Sequence, residues 1–335
     1  MDFEELLKID SKKMYQTYDK WPEIAQESFE KDSPKADVKD IDHIVLAGMG
    51  GSGAIGDIIS SILSKTNIHV NTVKGYLLPK TVDENTLVIA TSISGNTKET
   101  MAILHNAGRI SSKFIAFSSG GDIMKYSRKN NISFYQIPQI HSPRASLPSF
   151  LYSMLNILQD IIPIRIDDVN QSIELLKKTR DLIHSQNLNE KNPSLSLAEW
   201  ITGIPLIYFP AGLSAAAIRF KNSFQENSKL HVIIEDVIEA CHNGIISWER
   251  SSNVQPILVE GIDDYVKTKE RWDILKEYFN EKKIEYKEIH SVKGNILSKI
   301  MNLNYLSDYS SIYYAILRKI DPSPVDGINF VKKRL

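Results

Sequence analysis

A strand, a glycine-rich turn and an amphipathic helix follow one another without interruption near the start of the chain. The apolar run His43–Ala47 leads into the turn GMGGSG at residues 48–53. Apolar residues then recur at i, i+3, i+4, i+7 and i+8, namely Ile55, Ile58, Ile59, Ile62 and Leu63, as in a helix that buries one face. Parallel strands covered by crossover helices have this order. The segment therefore predicts an α/β fold.

The same alternation of apolar runs and amphipathic stretches continues along the chain. It predicts further strands at residues 69–73, 86–91, 113–118 and 133–136, and then at 206–210, 230–234, 254–260 and 284–290. Helices are predicted at residues 214–226, 263–281 and 296–319, and a helical lead at 1–39. Three prolines between residues 138 and 148 interrupt the pattern. We therefore predict two tandem doubly wound parallel-sheet domains, at residues 1–150 and 151–335.

Composition narrows the class of partner. The 335 residues include 40 Lys+Arg and 41 Asp+Glu, a formal charge of -1, so we expect neither nucleic acid nor a membrane surface as partner. The single cysteine, Cys241, permits no internal disulfide and favours a reducing compartment. The acidic start does not resemble a signal peptide, and the most apolar stretch, residues 150–164, is short for a membrane span. We expect a cytoplasmic protein.

Two turns at the ends of predicted strands have the chemistry of a phosphate site. In the glycine turn, residues 48–53, the backbone can approach an anion closely, and the helix that follows presents free N–H groups. The hydroxyl turn SISGNT, residues 92–97, carries Ser92, Ser94 and Thr97 ahead of another predicted helix. A helix cap explains only one of these hydroxyls. Because parallel strands end at one edge of a sheet, we expect the two turns to bind the same compact anion.

The hydroxyl turn resembles the signature of the sugar isomerase (SIS) domain, which binds phosphosugars. The segments PRAS at 143–146, RFKNSFQEN at 219–227, CHN at 241–243 and DPSPV at 321–325 are similar in sequence and order to those of bifunctional phosphoglucose/phosphomannose isomerases. The resemblance covers nearly the whole chain. It implies two tandem SIS domains, a homodimer, and catalysis without a metal or a nucleotide cofactor. Ser247 departs from the pattern, since a glycine is expected there.

The resemblance also implies which residues contact a hexose 6-phosphate. The phosphosugar-binding residues are Gly51, Ser52, Ser92, Ser94 and Thr97. The activity implied is interconversion of glucose 6-phosphate, and of mannose 6-phosphate, with fructose 6-phosphate through a cis-enediol.

Aldose–ketose isomerisation requires a base at carbon, a cation for the enediolate and an acid–base group for ring opening. By the resemblance, Glu226 transfers the proton, Arg144 stabilises the enediolate, and His242 opens the ring from the other subunit of a two-fold dimer. Lys332 matches the C-terminal lysine, and a slip of one residue would put Lys333 there instead. From the residues alone, a solvated helix-end glutamate, a structural or surface histidine and a basic last helical turn are the preferred interpretations, and a surface arginine is as good as a functional one.

Three other functions fit parts of the sequence. A non-catalytic phosphosugar-binding regulator would keep the hydroxyl turn without using Glu226. A nucleotide-dependent oxidoreductase would use Gly48, Gly50 and Gly53. No acid follows the second strand to hold a ribose, but Lys74 there could bind a 2′-phosphate. The isomerase half of an amidotransferase would have a glutaminase segment ahead of the sugar domain, and we expect none.

Overall fold

The computed structural model describes residues 1–107 and 109–335. In chain order, its first half contains α1 (Phe3–Ile9), α2 (Met14–Asp19), α3 (Trp21–Glu30), β1 (His43–Ala47), α4 (Gly51–Leu63), β2 (His69–Val73), β3 (Thr86–Ser92), α5 (Lys98–Leu104), β4 (Lys113–Ser118), α6 (Gly121–Lys129), β5 (Ser133–Gln136) and α7 (Leu147–Ile157). The second half contains α8 (Ile166–Ile183), α9 (Pro193–Trp200), β6 (Ile204–Phe209), α10 (Ser214–Ser228), β7 (Ile233–Asp236), α11 (Val237–Ala240), β8 (Val254–Glu260), α12 (Val266–Lys282), β9 (Lys287–His290), α13 (Ile296–Leu317) and α14 (Asp326–Lys332).

By packing, the chain divides into two compact units. The first unit comprises Lys20–Asn170 with Val331–Leu335, and the second comprises Met1–Asp19 with Gln171–Phe330. Each unit holds one parallel sheet, as the alternation of apolar runs and helices predicts. The division into domains at residue 150 stays a prediction, because compact packing alone does not identify independently folding segments.

The sheet of the first unit has the strand order β2-β1-β3-β4-β5, with every pair parallel. The central strands β1 and β3 are buried along their whole length, while the edge strand β2 is partly exposed. The chain adds β2 on one side of β1 and then β3 on the other side, so the order of the strands reverses between β1 and β3. In open α/β sheets, ligands bind at such a point, beyond the carboxyl ends of the strands. The glycine turn follows β1 and the hydroxyl turn follows β3, so both lie there.

The sheet of the second unit has the order β7-β6-β8-β9 and is also parallel. The long helix α13 is buried over nearly its whole length, including polar residues such as Asn304, Asp308 and Ser311. Helices α1 and α2 pack against this helix, and the Tyr305 hydroxyl donates to the Tyr18 carbonyl. The second unit therefore contains a core that includes many polar groups.

The predicted strand bounds agree closely with the structure except in β7 and β9. Both strands begin three residues later than their apolar runs predict, at Ile233 and Lys287. The helix that precedes each strand ends in a left-handed lysine, Lys229 or Lys283. The chain needs the next few residues to return to the sheet, and it pairs with its neighbours only from Ile233 and Lys287 onward. Among the helices described, none is long and apolar enough to cross a membrane.

Candidate active site

The glycine turn passes close to the neighbouring strand. A side chain at Gly48 would lie 3.0 Å from the carbonyl oxygen of Thr91 in β3. Gly50 has a φ of 53°, a conformation that favours glycine. Ser52 in the first turn of α4 is buried, and its hydroxyl oxygen accepts a hydrogen bond from the Ile93 N–H at 3.0 Å. Ser52 therefore connects the glycine turn to the hydroxyl turn.

The hydroxyl turn is held by its own side chains. The Ser92 hydroxyl accepts from the Gly95 N–H at 3.1 Å and shares a hydrogen bond of 2.8 Å with the Thr97 hydroxyl. Thr97 stands at the N-cap of α5 but does not cap it with its side chain. Among the residues described, none forms a hydrogen bond with the Ser94 hydroxyl. The turn thus combines a fixed backbone with the free hydroxyl of Ser94. It also leads into a helix whose first N–H groups receive no hydrogen bond from the Thr97 side chain.

A proline-containing loop brings Arg144 next to the glycine turn. A side chain at Gly51 would lie 3.0 Å from the Pro143 carbonyl oxygen and 3.5 Å from the Cα of Arg144. The Ser146 hydroxyl bonds to both backbone polar groups of Ile140, and the Trp21 indole donates to the Ala145 carbonyl at 3.1 Å. Arg144 itself is buried. The first unit therefore places an arginine beside the predicted phosphate site, and the role of this arginine stays a prediction. The role of Trp21 in holding the loop has no signal in the sequence.

Glu226 lies in the last turn of α10 and is half-buried. Beyond it, Asn227 donates to the Ser311 hydroxyl at 2.8 Å, and the Ser228 hydroxyl donates to the Ser311 carbonyl at 2.6 Å. Two turns earlier, Arg219 forms an ion pair of 2.6 Å with Asp308. The helix that carries Glu226 is therefore fixed to α13 at several points.

The Arg219–Asp308 pair is almost completely removed from solvent. The exposed fractions of the two side chains are 3% and 0%, and the Ser223 hydroxyl also donates to Asp308. Burial opposes the charge of the guanidinium and is the largest single effect, but Asp308, Tyr18 and Glu226 together outweigh it, so the pKa of Arg219 is raised. The motif at residues 219–227 suggested family membership but not this partner, which lies 89 residues away.

His242 follows α11 and is exposed. Its side chain forms no hydrogen bond or ion pair with the residues that the structure describes. The end of α10 precedes the amino end of β7, whereas His242 comes after its carboxyl end. Within one chain, Glu226 and His242 are therefore at opposite ends of this strand. Ser247, where a glycine was expected, lies in a short 3₁₀ helix and its hydroxyl donates to the Gly244 carbonyl at 2.7 Å.

Lys332 is the last residue of α14, and both it and Lys333 are exposed. Among the residues that the structure describes, no contact favours one lysine over the other. The assignment of Lys332 therefore stays a prediction.

Lys74, which the sequence offers as a partner for a nucleotide phosphate, has a partner in the protein. Its ammonium pairs with Asp57 of α4 at 2.6 Å, and a side chain at Gly53 would lie 3.3 Å from its Cε. Burial raises the pKa of the Asp57 carboxyl even though Lys74 acts in the opposite direction. A nucleotide phosphate would have to compete with this carboxylate for Lys74.

Apart from the predicted site residues, a cluster of ionisable groups lies near the ends of β8 and β9. Glu260, Glu288 and His290 offer ligand atoms within 4.8 Å of one another. The Lys276 ammonium, however, forms ion pairs of 2.7 Å with both glutamates. One of the two negative charges is thus offset by a lysine, and a cation would have to displace it.

Comparison with solved structures gives the class of fold. The chain superimposes on a hypothetical protein from Thermus thermophilus with a TM-score of 0.74 at 13% identity, over 98% of this chain and 92% of that one. It superimposes on the C-terminal domain of glucosamine-fructose-6-phosphate aminotransferase from Francisella tularensis with a TM-score of 0.69 at 15% identity, over 92% and 97% of the two chains. Together with the two parallel sheets, these matches define a protein of the parallel-sheet α/β class.

Sequence comparison identifies the family. Residues 190–335 match the family described as the bacterial phospho-glucose isomerase C-terminal SIS domain. A bifunctional phosphoglucose/phosphomannose isomerase from Caldicellulosiruptor bescii is 30% identical over 96% of this chain and 98% of its own length. The chain therefore belongs to the family of bifunctional phosphoglucose/phosphomannose isomerases and is an enzyme of the isomerase class.

Proposed function

We propose that the enzyme interconverts glucose 6-phosphate and mannose 6-phosphate with fructose 6-phosphate. The observation that carries this proposal is the pair of turns at the β1–β3 reversal, joined by the bond from the Ile93 N–H to Ser52. Backbone N–H groups, hydroxyls and two helix starts meet at the place where parallel sheets bind ligands. In this proposal Gly51, Ser52, Ser92, Ser94 and Thr97 hold the 6-phosphate.

The phosphate serves as a handle that orients the reacting carbons. Glu226 removes the proton from one carbon and returns it to the other, through a cis-enediol. Arg144 stabilises the charge that develops on the enediolate oxygens, since a planar guanidinium can address two oxygens together. His242 transfers the proton that opens the sugar ring, and Lys332 binds the substrate from α14. These are proton transfers and electrostatic contacts, so the proposal includes no metal or nucleotide.

The site is proposed to be shared between two copies of the chain. Glu226 and His242 lie at opposite ends of β7, which supports a histidine that reaches the pocket of another subunit. A two-fold dimer would then hold two identical composite sites. A cytoplasmic location belongs to the same proposal, because a single cysteine fits a reducing compartment.

A non-catalytic regulator that binds phosphosugars remains the alternative. It would use the same two turns and would leave Glu226 without a chemical role. Exchange of the C2 proton of the substrate with solvent separates the two functions, because binding alone does not break the C–H bond.

The decisive experiment is a coupled assay with the three hexose 6-phosphates, each supplied in turn, with and without a chelator. We expect turnover of glucose, mannose and fructose 6-phosphates and no loss on removal of divalent ions. Phosphosugar binding without turnover or C2 proton exchange would contradict the proposal and favour the regulator.

A further inference from the structure

Lys229 ends helix α10 in an unfavourable backbone conformation. Its φ is 55°, in the left-handed region where helices usually end in glycine. Lys283 has a φ of 56° at the end of α12. If only the shape of the backbone mattered, glycine would serve better at both places. The difference between the two lysines lies in what their side chains contact.

The ammonium of Lys229 sits among four backbone carbonyl oxygens, here called the carbonyl cluster. It donates to Glu226 at 2.8 Å, Asn227 at 3.3 Å, Asp321 at 3.2 Å and Pro322 at 3.3 Å. An ammonium has three N–H donors, so at least one is shared between two carbonyls. By contrast, the structure describes no hydrogen bond or ion pair for the Lys283 side chain.

The carbonyl cluster joins two parts of the second unit that are distant in sequence. Two of its oxygens, those of Glu226 and Asn227, belong to the last turn of α10. The other two are the carbonyl oxygens of Asp321 and Pro322, which follow α13 and lie 92 and 93 residues after Lys229. Asp321 is held in turn, since its carboxylate accepts from the Ser323 N–H at 2.9 Å and from the Ser11 hydroxyl at 2.5 Å.

We propose that Lys229 is a positioning residue that sets the location of the Glu226 carboxylate. Its ammonium ties the last turn of α10 to the fixed Asp321–Pro322 segment, so that turn cannot fray or rotate. The positive charge also offsets the negative end of the helix dipole at the residue that carries the reacting carboxylate. This inference rests on the proposed function of Glu226.

Three variants at Lys229 separate the ammonium from the backbone. Lys229→Met removes the ammonium and keeps the bulk of the side chain. Lys229→Gly removes the ammonium and relieves the left-handed backbone. Lys229→Arg keeps a cation with several donors. Lys283→Met and Lys283→Gly are matched controls at a helix end of the same conformation.

We expect Lys229→Met and Lys229→Gly both to lower kcat by about tenfold to a hundredfold, the scale of a small misplacement of a reacting group. Lys229→Arg should retain more activity than Lys229→Met. The inhibition constant of inorganic phosphate should be unchanged, because the proposed phosphate turns belong to the first unit. The glycine variant should melt at a temperature no lower than the methionine variant, because glycine relieves the left-handed backbone. The loss of kcat in the glycine variant would then not be explained by a loss of stability. Both Lys283 variants should keep the wild-type kcat.

A wild-type kcat in Lys229→Gly would overturn the inference, because backbone strain and not the ammonium would then matter. An equal loss of kcat in Lys283→Gly, or a parallel loss of phosphate affinity and thermal stability, would also overturn it. Hydrogen exchange tests the tether without any turnover: amides at residues 226–228 should exchange faster in Lys229→Met but not in Lys283→Met. A wild-type protein with no isomerase activity would instead overturn the proposed function, and the exchange result would then stand by itself.

Discussion

Ser94 and Thr97 belong to one turn, but their hydroxyls are engaged differently. Thr97 shares its hydrogen bond with Ser92, whereas no described residue bonds to the Ser94 hydroxyl. A bound phosphate would give both hydroxyls a charged acceptor. The turn is held in place by Gly95, at which a side chain would lie 2.0 Å from the Gly120 carbonyl oxygen. Removing a hydroxyl should therefore change binding more than it changes the fold.

We expect Ser94→Ala and Thr97→Ala each to weaken binding of hexose 6-phosphate by about 1 to 3 kcal/mol, the range for a hydrogen bond to a charged group. Calorimetric titration measures this, and inorganic phosphate should compete with the sugar. Ser64→Ala is the control, because the Ser64 hydroxyl only donates to the Ser61 carbonyl of its own helix. Wild-type affinity in both folded variants would remove the turn from the site.

Glu226→Gln should keep the fold and phosphosugar binding, since amide and carboxylate are nearly the same size. Turnover should fall by about 10² to 10⁴, the contribution of a general base. Steady-state kinetics and C2 proton exchange measure the loss. Glu281→Gln, at an exposed glutamate of α12, is the control and should be neutral. An active Glu226→Gln enzyme would contradict the assignment.

At the scale of elements, α10 and α13 are joined by the buried Arg219–Asp308 pair. Asp308→Asn leaves the Arg219 guanidinium buried without a charged partner. Removing one member of a buried ion pair costs about 3 kcal/mol or more, so the free energy of unfolding should drop by that amount. Urea denaturation followed by circular dichroism measures the change.

The exposed pair Lys267–Glu270 on α12 provides the contrast for this prediction. Its side chains have exposed fractions of 68% and 52%. Exposed pairs contribute about 1 kcal/mol or less, so Glu270→Gln should hardly change the urea midpoint. If the two substitutions had equal effects, the Arg219–Asp308 pair would not be what fixes α10 to α13.

At the scale of the whole molecule, the proposed composite site predicts complementation between inactive subunits. Homodimers of Glu226→Gln and of His242→Ala should both be poorly active. After subunit exchange, each heterodimer should hold one site with both wild-type groups and recover about half of the wild-type activity. Activity of purified, differently tagged heterodimers measures this. No recovery in a proven heterodimer would place His242 in the pocket of its own subunit or outside catalysis.

The sequence by itself determined the α/β class and most of the strands. Apolar runs and period-3.6 patterns are local, so the strands β1, β2, β4, β5 and β8 agree with the predicted bounds. The two turns of the first unit were also readable, because each follows a strand that the pattern predicts, and parallel strands end at one edge. Ser52 and the hydroxyl turn could thus be placed near one another from the chain alone, whereas Arg144 was assigned only through the resemblance.

Only the tertiary structure decided the contacts between distant segments. Nothing near Arg219 in the sequence indicates Asp308, and nothing near Lys229 indicates the Asp321–Pro322 carbonyls. The starts of β7 and β9 were also decided by partners in neighbouring strands, since an apolar run becomes a strand only where another backbone accepts and donates its hydrogen bonds. A local pattern shows which face of an element is buried, but it does not show which distant group will meet that face. That depends on how the elements pack together.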